Sequence, residues 1–325
     1  MAATRQIRRA PVVLAALALA PAAYAPPVAL QAGAVGPPAT QTIALHAFSG
    51  STAGDFEPGP IPKFRLRRAM KHIRRLARDI GMRVRAARGE RRGIRYVGRR
   101  FRRLGYTTHV QRFHVDGGTS RNLVAWWPGA KKFPLVVGAH IDTVRGAPGA
   151  NDNASGVAVM VENARLFASR PQARWIRFVA FGSEEYGSNG VHHVGSSVYV
   201  DRLKAEGRRR LAGMVSVDMI ADGHPLITGT AGIGPPRVAK TVYRKVEEAG
   251  IGVDYQITCD CSDNGPFERA GIPASFLWSG FEPNYHDPSD TVRNLKPRDV
   301  GRTGRGLRIF LKQVDKGMLS YFRRV

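Results

Sequence analysis

Acidic residues are scarce in this 325-residue chain: 25 Asp and Glu stand against 50 Lys and Arg, a formal net charge of +25 at pH 7. Cysteine is scarcer still. Two in the whole chain exclude a disulfide-built scaffold and a cysteine-ligated zinc finger. After residue 40 no uncharged apolar run approaches about 18 residues, which excludes a multi-span membrane protein. What remains is ordinary for a folded chain. Hydrophobic residues at 43% and charged residues at 23% exclude a disordered or collagen-like polymer. The length suffices to bury a large core, as one big α/β domain or two smaller ones.

The basic excess is local. Lys63 to Arg103 carry 18 Lys and Arg against Asp79 and Glu90, a net of +16, and Arg293 to Arg324 carry 10 against Asp299 and Asp315, a net of +8. Leu66, Met70, Ile73, Leu76 and Ile80 recur at helical spacing, as do Ile94, Val97, Phe101 and Leu104. The arginines fall between them and therefore face water on amphipathic helices. Electrostatic contact with an anionic cell envelope is the sharper reading of the same charge. No helix-turn-helix or aromatic-interleaved RNA motif accompanies it, so no specific nucleic-acid partner is expected.

Arg5, Arg8 and Arg9 precede an apolar run over residues 12–25 that ends in small residues. This reads as a secretory signal peptide over residues 1–25, with an alternative cleavage point at Ala34. Residues 26–62, rich in Pro, Gly and Ala, read as a linker. Residues 63–325 form the remaining domain, and a secreted or envelope-associated monomer is expected.

From there strands and helices alternate. Residues 107–115 and 122–127 read as strands. Residues 135–139 are a continuous apolar run of the kind buried in a central sheet, and residues 176–181, 214–217 and 274–278 read as further buried strands. Val157, Met160, Val161, Ala164 and Phe167 mark a helix. Leu307, Phe310, Leu311, Val314, Met318 and Phe322 mark one C-terminal amphipathic helix. The expected fold is α/β: a single domain with a mixed central sheet flanked by helices on both faces. Ligands of such sheets bind at the carboxyl ends of the strands.

Polar residues cluster at those ends. His140 and Asp142 follow the run 135–139. Asn151, Asp152, Asn153 and Ser155 open a helix after a Gly/Pro loop. Glu184 and Glu185 follow residues 176–181, Asp218 follows 214–217, and His286 sits in a later loop. Singly, each has an ordinary structural explanation: a satisfied core histidine, surface charge, a helix cap. Together they bring two imidazoles and several carboxylates to one edge of a chain that otherwise avoids acids. Carboxylates so gathered repel unless a cation neutralises them. With imidazoles beside them the expected cation is zinc, and the ligand number suggests two ions. Asp152 suits the bridge between them. His140 with Asp218, and Glu185 with His286, complete the two sets. Asp142 shares the face of His140 and is expected to orient its imidazole. Glu184 is placed to act as general base.

At these residues the chain resembles the M28 family of zinc aminopeptidases. The family's H-x-D, N-D-N/D-x-S-G, E-E, lone D and late H are matched by His140/Asp142, Asp152, Glu184/Glu185, Asp218 and His286. Arg121 to Ala125 resembles its S-x-N-L-V-A strand, and Tyr285 to Thr291 its Y-H-T-P-x-D-T segment. The resemblance implies a di-zinc exopeptidase that removes N-terminal residues from peptides with a free N-terminus, using a hydroxide generated at the metals. It also implies that Tyr285 stabilises the oxyanion. Asn264, Val191 and Asp287 depart from the family pattern, and His192 and His193 are not expected among the ligands. Only 68 residues separate Asp218 from His286, too few for the lid domain of the related M20 exopeptidases. The alternatives are a carboxypeptidase or glutaminyl cyclase on the same scaffold, or a non-catalytic protein that binds an anionic envelope. Cys259 and Cys261 are read as loop thiols, with a disulfide across the one-residue spacer as the tight alternative.

Overall fold

A computed structural model of the chain describes residues 59–131 and 134–324. The expected signal peptide and nearly all of the expected linker lie outside the described residues.

The buried apolar runs form the centre of one eight-stranded sheet, in the order β1-β2-β4-β3-β5-β8-β6-β7. Strands β3 (Leu135–His140), β4 (Ile176–Phe181), β5 (Gly213–Val217) and β8 (Ala274–Trp278) run parallel in its middle. Every residue of β3, β5 and β8 is buried, as expected where helices cover both faces. β1 (Thr107–Val115) and β2 (Gly118–Trp126) make an antiparallel hairpin at one edge. Its turn is Asp116-Gly117, both with positive φ, the geometry that suits the strand twist. This tight turn starts β2 four residues before the expected position at 122. At the other edge lie β6 (Leu226–Thr230), antiparallel to β8, and β7 (Val253–Ile257), parallel to β6. Neither was legible as a strand.

Alternation of side chains sorts the core into two layers. Val137, Ala139, Phe178 and Ala180 face the larger layer, with α1 (Leu66–Arg74), α2 (Arg88–Arg103), α3 (Gly156–Phe167), α6 (Arg237–Glu247), α8 (Pro297–Lys312) and α9 (Lys316–Phe322). Val136, Val179, Phe181 and Met214 face the smaller layer, with α4 (Val194–Arg202) and α7 (Asn264–Arg269); α5 (Lys204–Arg210) is a short solvent-facing turn. The expected single C-terminal helix is two helices. Its apolar period continues through the break, but the Asp315 carboxylate accepts from the Met318 amide and starts a new helix. Cys259 and Cys261 form a disulfide.

Arg83 ties the first helices to the sheet. It lies between α1 and α2 and is fully buried. Its guanidinium donates to the carbonyl oxygens of Ile141 (2.7 Å), Pro148 (2.8 Å), Gly149 (2.8 Å), Gly81 (3.1 Å) and Leu76 (3.2 Å). All three nitrogens of the group thus donate to backbone, Nη1 to three carbonyls and Nε and Nη2 to one each. Gly149 has φ +64°, and a Cβ there would collide with Thr143, with the Asp152 carbonyl and with Arg83. Only glycine lets the loop wind this closely around the arginine.

Candidate metal centre

The four central strands deliver their last residues to one edge. His140 ends β3, Asp218 follows β5, and Glu184 and Glu185 follow β4 after a two-residue turn. Asp152 lies in the loop before α3, and the Asp152–Asn153 peptide is cis. His286 comes from the segment after β8.

Asp152 stands between two groups. Its Oδ1 is 3.1 Å from His140 Nε2, and its Oδ2 is 3.4 Å from His286 Nε2. On the first side Asp218 Oδ1 is 3.3 Å from His140 Nε2. On the second, Glu185 Oε2 is 3.0 Å from His286 Nε2. The imidazole of His286 is 27% exposed, whereas that of His140 is 1% exposed, so solvent reaches the cluster from the His286 side. Two triads, His140/Glu184/Asp218 and His140/Asp152/Glu185, have ligand atoms within 4.8 Å of one another.

Each carboxylate is held from behind. Asp142 does not hold His140 as expected: its Oδ1 is 3.7 Å from Nδ1, beyond hydrogen-bond length. Its two oxygens instead accept from the amides of Glu184 and Glu185, both at 3.1 Å. Asp290 repeats the device, accepting from the amides of Asn151 (2.7 Å) and Asp152 (3.0 Å). Ser262 Oγ donates to Asp218 Oδ2 at 2.9 Å. Asn153 accepts from the Gly156 amide and donates to the Val217 carbonyl, which fastens the Asp152 loop to the end of β5.

His193 was set aside as a ligand and proves to have another place. It is buried, and its Nε2 lies 3.0 Å from Glu184 Oε1. Burial, helped by His192, lowers its pKa to about 3, so the neutral ring donates from Nε2 to the carboxylate. Glu184 Oε2 is left facing His140 at 3.8 Å. The sequence offered only one hint, a histidine eight residues beyond a strand-end Glu. Asp263 was also missed as a contributor. It is fully buried, and burial pushes its carboxyl up to about 7.

The groups strongly perturb one another. Burial raises Glu184 well above the usual carboxylate range, with Glu185, Asp263 and Asp218 adding to the rise. Burial and Asp152 bring Glu185 to about 7. For His286 burial opposes the charge, but hydrogen bonds to Asp152 and Glu185 prevail and lift it to about 10. Tyr285 stacks on His286 with ring centroids 3.7 Å apart. Burial, then Asp152 and Glu185, hold its hydroxyl protonated. Tyr285 also packs against the exposed Phe281 (5.0 Å), which meets the buried Trp278 edge-on (5.4 Å).

The donor set fits divalent cations. Glu185 Oε1 and Asp218 Oδ1 are buried without a hydrogen-bond partner among the described residues, and His140 Nε2 faces the same space. Leaving such atoms unmet is costly, and carboxylate oxygens with imidazole nitrogens suit a borderline metal. Asp152, with an oxygen toward each side, fits the position between two ions.

The family model described as Peptidase family M28 matches residues 122–311, and the chain belongs to that family. Leupeptin-inactivating enzyme 1 of Streptomyces exfoliatus is 30% identical over 287 residues, covering 79% of this chain. The chain spans 63% of that relative's length. The fold is similar to that of BSAP, a zinc aminopeptidase from Bacillus subtilis, with TM-score 0.72, 20% identity, and coverage of 80% of this chain and 97% of that one. It is similar also to a Fimbriiglobus ruber glutaminyl cyclase, with TM-score 0.66, 24% identity, and coverage of 82% and 100%. At those identities the two structures establish the shared fold.

The Asp290 clamp is open to measurement. Asp290→Ala leaves two buried amides unmet, at about 1–3 kcal/mol each. Urea unfolding of the variant should show a loss of about 2–5 kcal/mol, and Asp290→Asn a smaller one. A midpoint equal to that of the parent would remove the clamp from the account.

Proposed function

We propose that the protein is an exported aminopeptidase holding two zinc ions. His140 and Asp218 take one ion, Glu185 and His286 the other, and Asp152 lies between them. The observation that carries this reading is the two-sided approach of Asp152, one oxygen to each imidazole. Membership of a peptidase family and a relative named for inactivating a peptide-like inhibitor support it.

Bound zinc supplies Lewis-acid polarisation of the scissile carbonyl and makes water acidic enough to attack near neutral pH. The chain's own residues do the rest. Glu184, raised by burial, takes the proton of the attacking water and returns it to the leaving amine. His193 occupies Oε1 of Glu184 and so presents Oε2 to the cluster. Asp142 fixes the backbone of the same residue. The protonated Tyr285 hydroxyl donates to the carbonyl oxygen as negative charge develops there.

The wider reading has residues 1–25 as a signal peptide, 26–62 as a linker and 63–325 as a monomeric peptidase domain. Export is supported by the basic residues ahead of the apolar run 12–25. Contact with an anionic envelope is supported by the net charge of +25. A complete ligand set argues against a purely adhesive protein with a decayed site.

Glu184→Gln should keep its zinc while turnover falls several-hundredfold, and Asp152→Asn should lose zinc as well as rate, both read by metal analysis beside hydrolysis. Retained activity in the first, or full occupancy in the second, would contradict the assigned roles. His193→Leu removes a hydrogen bond to a charged group, about 1.5–3 kcal/mol. Its kcat should fall about tenfold to a hundredfold with KM little changed, and His193→Gln should recover part of the loss. An unchanged kcat would leave His193 without a role. One peptide supplied free, N-acetylated and C-amidated, followed by mass spectrometry, tests the activity itself. Single N-terminal residues should leave the free and amidated forms only. Release from the C-terminus, or ring closure of an N-terminal Gln, would move the function to a cousin on the same fold.

A further inference from the structure

The amphipathic helices that begin the domain were read as presenting arginine to water. The structure shows that these side chains are not spread evenly. Arg92, Arg95 and Arg99 lie on one stripe of α2, at spacings of three and four residues, and all three are exposed. Arg75 approaches from the turn that continues α1, and Ile80 forms an apolar floor. The five residues line a cleft of about 250 Å³.

The cleft is short of negative charge. Of the two acids in this part of the chain, Glu90 is buried with Ser120 and the Ala86 amide, and the one at the surface is Asp79. It is already paired with Arg75 (3.1 Å) and Arg78 (3.1 Å). Arg92 reaches only the Asp79 carbonyl, at 3.4 Å. Arg95 and Arg99 make no hydrogen bond or ion pair among the described residues. Like charges four residues apart on a helix repel by a few tenths of a kcal/mol, and no acid among the described residues pairs with Arg95 or Arg99. Simple solvation of an amphipathic helix needs polar residues on that face. It does not need guanidinium groups converging from two elements on one concavity.

We propose that this cleft is a phosphate-binding site, with Arg95 and Arg99 as its free ligands and Arg75 and Arg92 as its flanks. Guanidinium groups present paired N–H donors that match two oxygens of one phosphate. The apolar floor at Ile80 lowers the local dielectric and strengthens the contact. A second hollow is lined by Arg68 of α1, Arg100 and Arg103 of α2, and the paired Glu162 and Arg165 (2.7 Å) of α3. Burial there, with Arg100 and Arg68 nearby, keeps His72 neutral by lowering its pKa to about 4. None of the cleft residues belongs to the cluster around Asp152. The proposal therefore stands apart from the peptidase reading, and it gives the anionic contact suggested above a defined place.

Inorganic pyrophosphate is the probe. Titration calorimetry of the full chain at low salt should show saturable binding that weakens as salt rises. Arg95→Gln with Arg99→Gln should weaken it at least tenfold without moving the urea midpoint. Arg209→Gln with Lys240→Gln, exposed residues elsewhere that remove the same charge, should change it less than twofold. Equal weakening by both pairs would mean a diffuse field and overturn the site, as would a first pair that binds like the parent or a parent that never saturates. Sedimentation with phosphatidylglycerol and phosphatidylcholine vesicles separates the sources of phosphate. Capture by the former alone, lost with Arg95 and Arg99, assigns the cleft to lipid headgroups. Pyrophosphate binding without vesicle capture keeps the site, assigns it to soluble phosphates and removes the envelope contact.

Discussion

The structure depends on holding carboxylates close together and out of water. Asp142, Asp152, Glu184, Glu185, Asp218, Asp263 and Asp290 are all buried near one end of the sheet. Coulomb repulsion among them would open that end if nothing opposed it. Backbone amides answer two of them directly, and a serine hydroxyl answers a third. Arg83 answers several at a distance. Its charge lies among Asp290, Asp142, Asp152 and Glu185 while its hydrogen bonds go to the carbonyls of the loops that carry them. One side chain thus fixes loop shape with its donors and offsets repulsion with its charge. The imidazoles do part of the same work, and divalent cations complete it.

Asp142 and Asp290 show how rigidity is obtained from loops. Each spends both oxygens on two successive amides of the segment that bears a metal-facing carboxylate. The segment after β4 and the one before α3 are therefore fastened at the residue that matters, not merely at their ends. Such fastening limits the motion of Asp152, Glu184 and Glu185 without committing their own oxygens, which stay free for cations and substrate.

Much of this was legible in the sequence, and the reason is burial. Residues 135–139 and 176–181 lie between two layers of helices, so they are apolar but for Arg177, and the polar residues after them stand out. The edge strands left no such mark. Leu226–Thr230 ends in Thr-Gly-Thr, and most of Val253–Ile257 alternates without large buried side chains. The break after Lys312 was hidden because Val314 and Met318 keep the helical period. Arg83 was hidden differently. It is one of 18 basic residues in its stretch, and no spacing distinguishes the one that is fully buried from those that face water. His193 is not among the expected ligands, and its partner is Glu184, the carboxylate beside them.

The amides of Asn151 and Asp152 are closed by a carboxylate that lies up to 139 residues further along the chain. His286 arrives with the same late segment. A chain folding from its N-terminal side can assemble β3, β4 and β5 and still lack the strap that orders the Asp152 loop. Whatever chemistry the centre performs begins only after that closure, so timing is written into the order of the chain. A nascent or partly unfolded copy carries the parts of the centre without their arrangement.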